Sequence, residues 1–124
     1  ILDDFRNLKK ISKIVHPLVR KKLNYFLIKN KKRKMVVLDI PLFIENKLNK
    51  QDDILVYIEA KKNDIQKKLK KRANYNEKIF NNLRLIQLPL AKKKRISEFK
   101  LVNNFNSNKI KKDIKIIKEK ILSK

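Results

Sequence analysis

The chain has 124 residues, with no cysteine, no glycine and a single histidine, and its formal net charge is +23. This length allows at most one domain with a modest core. Zero cysteines exclude disulfides, thiolate metal sites and cysteine nucleophiles, and one histidine excludes a multi-histidine metal centre. The lack of cysteine fits a reducing cytosol, so we expect a cytoplasmic protein. No apolar run approaches the roughly 18 residues of a membrane span, so we expect no membrane partner.

The positive charge is compatible with a polyanionic partner such as a nucleic acid. The lysines, however, are spread over almost every predicted helix and are mixed with many Asn and Ile residues, a composition that an AT-rich genome also produces. The sequence has no aromatic stacking platform and no base-reading helix signature. We therefore expect no specific nucleic-acid partner, and a small basic nucleic-acid-binding module is kept as an alternative.

The first part of the chain is predicted to form two helices and a strand. Apolar residues recur every three or four positions over residues 2–15, as in an amphipathic helix. His16 precedes Pro17 and should leave the α region, so Pro17 starts a second helix that ends near residue 28. Residues 35–38 are an unbroken apolar run, which predicts a strand buried on both faces.

The predicted first strand ends on a carboxylate. Pro41 has no N–H to donate to a sheet, so the strand must stop near Asp39. Open α/β sheets bind ligands at the carboxyl ends of their strands, which makes Asp39 a candidate site residue. Asp39 could instead cap the strand end by accepting backbone N–H groups, and position alone favours that structural role.

The middle of the chain is predicted to hold a second strand followed by helices. Residues 54–58 form another apolar run, and the lack of turn glycines favours a parallel arrangement over a hairpin. A lysine-rich helix is predicted over residues 61–72. Asn74 and Glu77 have the spacing of a capping box, which predicts the start of the next helix.

The last part of the chain is predicted to hold a third strand and a final helix. Pro89 breaks the chain before a short basic segment over residues 90–96. Residues 99–102 are predicted to form a brief third strand, which Asn103 and Asn104 end. Asn106 or Ser107 is the predicted cap of an amphipathic helix that completes the sequence.

Six short motifs occur along the chain in a fixed order. They are H-P-L-V-R (16–20), L-D-I-P-L-F-I-E-N (38–46), I-L-V-Y-I (54–58), K-x-x-x-R (68–72), Q-L-P (87–89) and S-E-F-K-L-V-N-N (97–104). Together they resemble the dephospho-coenzyme A kinase family, and the spacing between Arg72, Gln87 and Asn103 agrees as well. Each motif alone is weak, whereas six in order over essentially the whole chain are specific.

The resemblance implies an α/β fold of the P-loop kinase class, like that of nucleoside-monophosphate kinases, with a parallel sheet, helices on both faces and a helical lid. It implies a helical CoA-side region over 1–33, core strands over 34–60, the lid over 61–96, and the last core strand with the C-terminal helix over 97–124. A Gly-rich phosphate loop cannot occur in a glycine-free chain. We therefore expect an N-terminally truncated fragment, one incomplete domain that is inactive alone.

The resemblance also implies a reaction. The family transfers the γ-phosphoryl group of ATP to the 3′-hydroxyl of dephospho-CoA, the last step of coenzyme A biosynthesis, with ATP and Mg²⁺ as cofactors. Another P-loop monophosphate kinase is an alternative, because the fold does not fix the acceptor. In two places the chain departs from the family pattern. Lys68 stands where the family has an arginine, so the positive charge is kept but the bidentate contact of a guanidinium is lost. Ser97-Glu98 stands where the family has an Ala-Asp pair.

Three catalytic residues follow from the resemblance. Arg72 and Lys68 fall in the region that matches the lid, where cations neutralise the transferred phosphoryl group. Asp39 matches a strand-end carboxylate that orients a Mg²⁺-bound water or the acceptor hydroxyl. Without the resemblance, Arg72 and Lys68 would be interpreted as part of a solvated helix face.

Five further residues are assigned to binding by the resemblance, and no metal ligand is assigned. His16, Arg20 and Glu45 are predicted to contact the dephospho-CoA substrate, with Arg20 the stronger anion contact of the first two. Lys93 and Asn103 are predicted to contact ATP. Structural alternatives remain for three of them: His16 as a packed or capping residue, Glu45 as a support for the fold, and Asn103 as an ordinary turn residue.

Overall fold

The computed structural model describes the backbone of residues 5–124 and the side chains of residues 13–124. Within these residues the chain forms five helices and two strands. In chain order they are α1 (Phe5–Lys29), β1 (Val56–Glu59), α2 (Lys62–Lys70), α3 (Glu77–Leu85), α4 (Leu90–Ile96), β2 (Phe99–Val102) and α5 (Ser107–Leu122). The α/β class predicted from the sequence is confirmed.

The chain divides into two units, Ile1–Phe43 and Ile44–Lys124. The first unit contains α1 and the irregular segment after it. The second contains both strands and helices α2 to α5. In the part of the chain that the structure describes, no helix is both long enough and apolar enough to cross a membrane.

Helix α1 is continuous through Pro17, so the predicted break at His16 is wrong. Proline removes its own N–H donor from the helical ladder, but the turns on either side keep theirs. The pull of a proline on the preceding residue is a preference, and here the continuing helix overrides it. The start of the first predicted helix, residues 2–4, lies outside the described residues.

Residues 35–40 have no regular secondary structure, so the strand predicted over 35–38 is not formed. Val37 is 75% exposed, whereas the prediction required burial on both faces. An apolar run becomes a strand only where a partner strand accepts its backbone hydrogen bonds. The one strand pairing among the described residues joins β1 to β2, in the other unit.

The sheet of the second unit is parallel. The parallel pairing predicted from the lack of turn glycines concerned residues 35–38 and 54–58, and it is not formed because residues 35–38 are not a strand. Val56 pairs with Phe99 and Glu59 pairs with Val102. Parallel strands need a long crossover, and here helices α2 to α4 provide it. Leu101 on β2, which is 7% exposed, is the only buried apolar side chain among those described, and α5 packs against this strand.

Asn76 determines where α3 begins. Its side-chain oxygen accepts a hydrogen bond from the N–H of Ile79 at 3.0 Å. Glu77 is therefore the first helical residue, and the capping box predicted from Asn74 and Glu77 is wrong by two positions. The error arises because both asparagines precede the same apolar pattern, and only the geometry of the turn selects between them.

Of the two predicted caps of α5, Asn106 and Ser107, the structure selects Asn106. Its side-chain oxygen accepts hydrogen bonds from the N–H groups of Asn108 and Lys109 at 3.1 and 3.2 Å. Two of the otherwise unpaired donors at the start of the helix are satisfied in this way. The basic segment after Pro89 is the helix α4, and Pro89 stands at its N-cap. The segment therefore continues the chain as a regular element rather than as a loop.

Candidate functional site

Glu45, a predicted substrate contact, lies at the centre of a cluster of polar contacts. Its Oε1 atom accepts a hydrogen bond from the N–H of Leu88 at 2.9 Å and lies 2.6 Å from Nζ of Lys93. The side chains of Glu45 and Lys93 are 11% and 20% exposed. The structure thus brings two predicted site residues, Glu45 and Lys93, into a shielded ion pair.

The environment of Glu45 acts on its pKa in opposite directions. Burial raises the pKa of Glu45, but the hydrogen bonds from Lys93 and from the Leu88 N–H, together with the charge of Lys93, outweigh that effect. The pKa therefore lies below its usual value of 4.5, and the carboxylate is ionised at neutral pH. A carboxylate held in this state is a poor general base, because its affinity for a proton is reduced.

A second ion pair holds α4 on another side. Nζ of Lys94 donates to both carboxylate oxygens of Glu59, at 3.0 and 3.3 Å. Successive side chains on a helix point about 100° apart, so Lys93 and Lys94 reach different partners. At the end of the helix, the hydroxyl of Ser97 donates to the carbonyl of Lys93 at 2.8 Å. Helix α4 is therefore attached both to the segment around Glu45 and to the end of β1.

A groove of about 250 Å³ lies between α2 and the loop after β2, at the carboxyl ends of both strands. Nζ of Lys68 stands 5.3 Å from the centre of the Phe105 ring, within the range of a cation–π contact. The groove combines cations with an aromatic ring, which suits an anionic ligand that also has a flat group. Its lining residues are Asp64, Lys67, Lys68, Lys71, Asn104 and Phe105.

Asparagines shape the loop that borders the groove. The N–H of Asn103 donates to the carbonyl of Glu59 at 2.7 Å, and its side-chain oxygen accepts from the N–H of Phe105 at 2.9 Å. Asn104 accepts in the same way from the N–H of Asn106 at 3.1 Å. Phe105 has φ = 61°, a left-handed conformation that is unusual for such a residue. The structural role of Asn103 is thus observed, and its contact with ATP stays a prediction.

The remaining predicted site residues are Arg72, Lys68, Asp39, His16 and Arg20. Arg72 is exposed just after α2, four positions beyond Lys68, which is also exposed. In the first unit, Asp39 is exposed in the segment after α1, and His16 and Arg20 lie on α1, partly buried and exposed respectively. Their proposed contacts with substrate, metal or phosphate stay predictions.

Several contributors to the site were not predicted from the sequence. Phe105 was overlooked, although an aromatic residue between asparagines just after a strand is a usable signal for a ligand-facing loop. The pair between Lys94 and Glu59 was also missed. Nothing local distinguishes Lys94 from its many neighbouring lysines, so that pairing could be found only from the fold.

The described residues form an α/β structure with a small parallel sheet and a helical crossover, which is consistent with a fragment of a P-loop kinase-like fold. The sequence profile of the dephospho-CoA kinase family matches residues 1–109. The chain belongs to that family. The match includes all six motifs and does not favour the alternative of a small basic nucleic-acid-binding module.

Individual relatives agree with the family match. The chain is 32% identical over 101 residues to the dephospho-CoA kinase of Bartonella quintana, covering 80% of this chain and 52% of that protein. It is 33% identical over 95 residues to that of Wolbachia pipientis wMel, covering 75% and 48%. It is 28% identical over 118 residues to that of Wolbachia sp. subsp. Brugia malayi, covering 94% and 60%. The chain spans about half the length of the curated relatives it matches.

Proposed function

We propose that this chain is part of a dephospho-CoA kinase that transfers the γ-phosphoryl group of ATP to the 3′-hydroxyl of dephospho-CoA, the last step of coenzyme A biosynthesis. The observation that carries the proposal is the family match over residues 1–109. The chain has no glycine, so a Gly-rich phosphate loop is not among its residues. In this proposal, that loop is supplied by residues outside the sequence, and the chain is a fragment of the enzyme.

The groove between α2 and the loop after β2 is the proposed ATP side. Lys67, Lys68 and Lys71 give it positive charge, and the ring of Phe105 offers a stacking face. Stacking on an aromatic ring suits any nucleobase, while the lysines neutralise phosphate charge. The groove therefore has both chemical features that a nucleoside triphosphate requires.

Arg72 is proposed as the main cation that neutralises the transferred phosphoryl group. Phosphoryl transfer depends chiefly on positioning and charge neutralisation, and a guanidinium can bridge two phosphate oxygens. Lys68, near the end of α2, precedes Arg72 by four positions and provides a point charge without the planar guanidinium. Both side chains are exposed and so are accessible to an arriving ligand.

Asp39, His16 and Arg20 form the proposed acceptor side. Arg20 would bind a phosphate of dephospho-CoA, and His16 would contact the same molecule. Asp39 would orient the 3′-hydroxyl or a metal-bound water. The cysteine-free composition supports a cytoplasmic location for this chemistry, where thiols remain reduced.

Mg²⁺ fits the residues available here only with the help of phosphate ligands. Among the described side chains, no group of three or more His, Cys, Asp or Glu residues could hold a metal ion. In phosphoryl-transfer sites, Mg²⁺ keeps several waters and binds one or two carboxylates together with substrate phosphates. The exposed carboxylate of Asp39 could serve as one such ligand, and bound Mg²⁺ would neutralise charge on the phosphates.

The gene product that contains this chain should convert dephospho-CoA and ATP to CoA and ADP when Mg²⁺ is present. Replacing Arg72 by Lys should lower kcat at least about tenfold, because lysine keeps the charge but cannot bridge two oxygens. The matched control is Arg84→Lys on α3, an exposed arginine that contacts Phe80, which should change kcat less than about twofold.

Steady-state kinetics and product analysis by mass spectrometry would measure these effects. Failure of the wild-type protein to phosphorylate dephospho-CoA would contradict the proposed function. Equal kcat values for the Arg72 variant and the wild type would contradict only the role of Arg72.

A further inference from the structure

We propose that Glu45 is a positioning residue that fixes the connection between α3 and α4, with Lys93 as its structural partner rather than a phosphate ligand. In consequence, α4 is fixed to the sheet and is not part of the lid. The segment of the crossover that can move as a lid then ends at Leu88. This inference rests on the proposed function only for its kinetic readout. It revises the lid boundary and the ATP contact expected from the sequence.

A single oxygen atom makes the first anchor. Oε1 of Glu45 accepts from the N–H of Leu88 and also contacts Nζ of Lys93. Leu88 is the last residue before Pro89, and Pro89 stands at the N-cap of α4 without a side-chain hydrogen bond of its own. Glu45 therefore fixes the residue that precedes α4, a helix whose N-cap residue makes no capping hydrogen bond. Glu45 and Leu88 are 43 positions apart in the chain.

The shielding of the pair decides what Lys93 can do. Both side chains are largely buried, and removing one charge from a shielded pair leaves the other uncompensated. A phosphate group bound to Lys93 would lie next to the Glu45 carboxylate, and the two negative charges would repel each other. Phosphate binding in the groove would not place the phosphate against Glu45. The groove is therefore better suited to bind phosphate, through its lysines Lys67, Lys68 and Lys71.

The second anchor extends from α4 into the sheet. Lys94 pairs with Glu59, the last residue of β1. Immediately after α4, the N–H of Glu98 donates to the carbonyl of Leu55 at 2.9 Å, continuous with the pairing of β2. Helix α4 and β2 therefore form one fixed block. Helix α2, in contrast, meets the loop after β2 through the cation–π contact of an exposed lysine, Lys68.

Amide hydrogen exchange on the gene product that contains this chain would test the inference. Glu45→Ala and Lys93→Met should each speed exchange at Leu88 and in the first turn of α4 by about tenfold or more, because the anchor is lost. The double variant should exchange no faster than the faster single variant, since both changes remove the same contact. Glu45→Gln, which keeps an acceptor for the Leu88 N–H, should fall between Glu45→Ala and the wild type.

Lys94→Met is the matched control on the same helix. It removes the pair with Glu59 and should leave exchange at Leu88 within about twofold of the wild type. In the kinetic assay, Lys93→Met should lower kcat while changing KM for ATP less than about threefold. Lys93→Arg, which keeps the charge, should restore most of the protection at Leu88.

Two results would overturn the inference. One is unchanged exchange at Leu88 in both Glu45→Gln and Lys93→Met. The other is a rise of about tenfold or more in KM for ATP in Lys93→Met without faster exchange, as expected of a phosphate ligand. Exchange needs no catalytic activity, so a protein without dephospho-CoA kinase activity would refute the proposed function and still test this anchor.

Discussion

Single residues in this protein act through the contacts that the fold gives them, and Glu45 is the clearest case. The sequence left open whether Glu45 reaches substrate or supports the fold, because it shows only a carboxylate after an apolar run. The structure adds the Leu88 N–H and Lys93, neither of which is adjacent in sequence. Asn103 is similar, since the sequence predicted its turn position but not its bond to the N–H of Phe105.

The low pKa of Glu45 predicts a pH dependence of stability. A carboxylate whose folded-state pKa is depressed contributes stability that is fully present above its unfolded pKa and is lost as pH falls through the folded value. The difference in unfolding free energy between wild type and Glu45→Gln should be largest at about pH 6–7. It should shrink as the pH falls below 4.5, the usual pKa of a glutamate. Urea denaturation at several pH values would measure it.

The matched control for this experiment is Glu119→Gln. Glu119 pairs with Lys115 at 4.0 Å on the exposed face of α5, and exposed pairs contribute little. Its effect on unfolding should be small at every pH. A wild-type advantage over Glu45→Gln that stays constant down to about pH 3 would contradict the assignment of the low pKa to Glu45.

At the level of elements, the sequence predicted those whose signals are local. Strand β2 and helix α5 were predicted because a short, mostly apolar segment, a capping asparagine and a regular apolar spacing follow one another in the chain. The strand over residues 35–38 was wrong, because strand formation depends on a partner elsewhere in the chain. Helix α4 was described only as a basic segment, since seven residues are too few to display a helical period.

The cap of α5 gives a prediction at this scale. Replacing Asn106 by Ala should lower the unfolding free energy by about 1 kcal/mol, because the N–H groups of Asn108 and Lys109 lose their acceptor. Asn108→Ala, two residues further on and inside α5, should change the unfolding free energy by less than about 0.5 kcal/mol. Urea denaturation followed by circular dichroism would measure both. Equal losses for the two variants would show that the cap does not stabilise α5.

The whole molecule is dominated by its charge, and that charge predicts a response to salt. A net charge of +23 repels itself in the compact state, and added salt screens this repulsion. Raising NaCl from about 20 mM to about 300 mM should therefore raise the thermal midpoint by several degrees. Chloride is the appropriate salt, because phosphate and sulfate could bind the basic groove directly.

A variant with less charge would serve as the control for this experiment. Replacing Lys111 and Lys118, both exposed on α5, by Gln should reduce the salt dependence without removing any ion pair described above. Differential scanning calorimetry would give the midpoints. A midpoint that falls with salt would mean that ion pairs such as Glu45–Lys93 outweigh the repulsion.

The family could be predicted at the scale of the molecule because six motifs hold their order over the chain, and order survives even where individual residues change. The geometry of the candidate site could not be predicted from the sequence. The contact of Lys68 with Phe105 and the pair of Glu45 with Lys93 each join parts of the chain that only the crossover brings together. The order of the motifs identifies the family, and the three-dimensional contacts show which partner each side chain has.

The parallel pairing of β1 with β2 also has a consequence for how the protein folds. Each paired residue on β1 meets a residue on β2 that lies beyond three helices in the chain. Bringing the two strands together reduces the conformational entropy of the long loop between them before the strand contacts can stabilise the fold. Such topologies therefore fold slowly. We expect the helices to form early and the two strands to join in the rate-limiting step, so that β1 is the segment exposed longest to pairing with another chain.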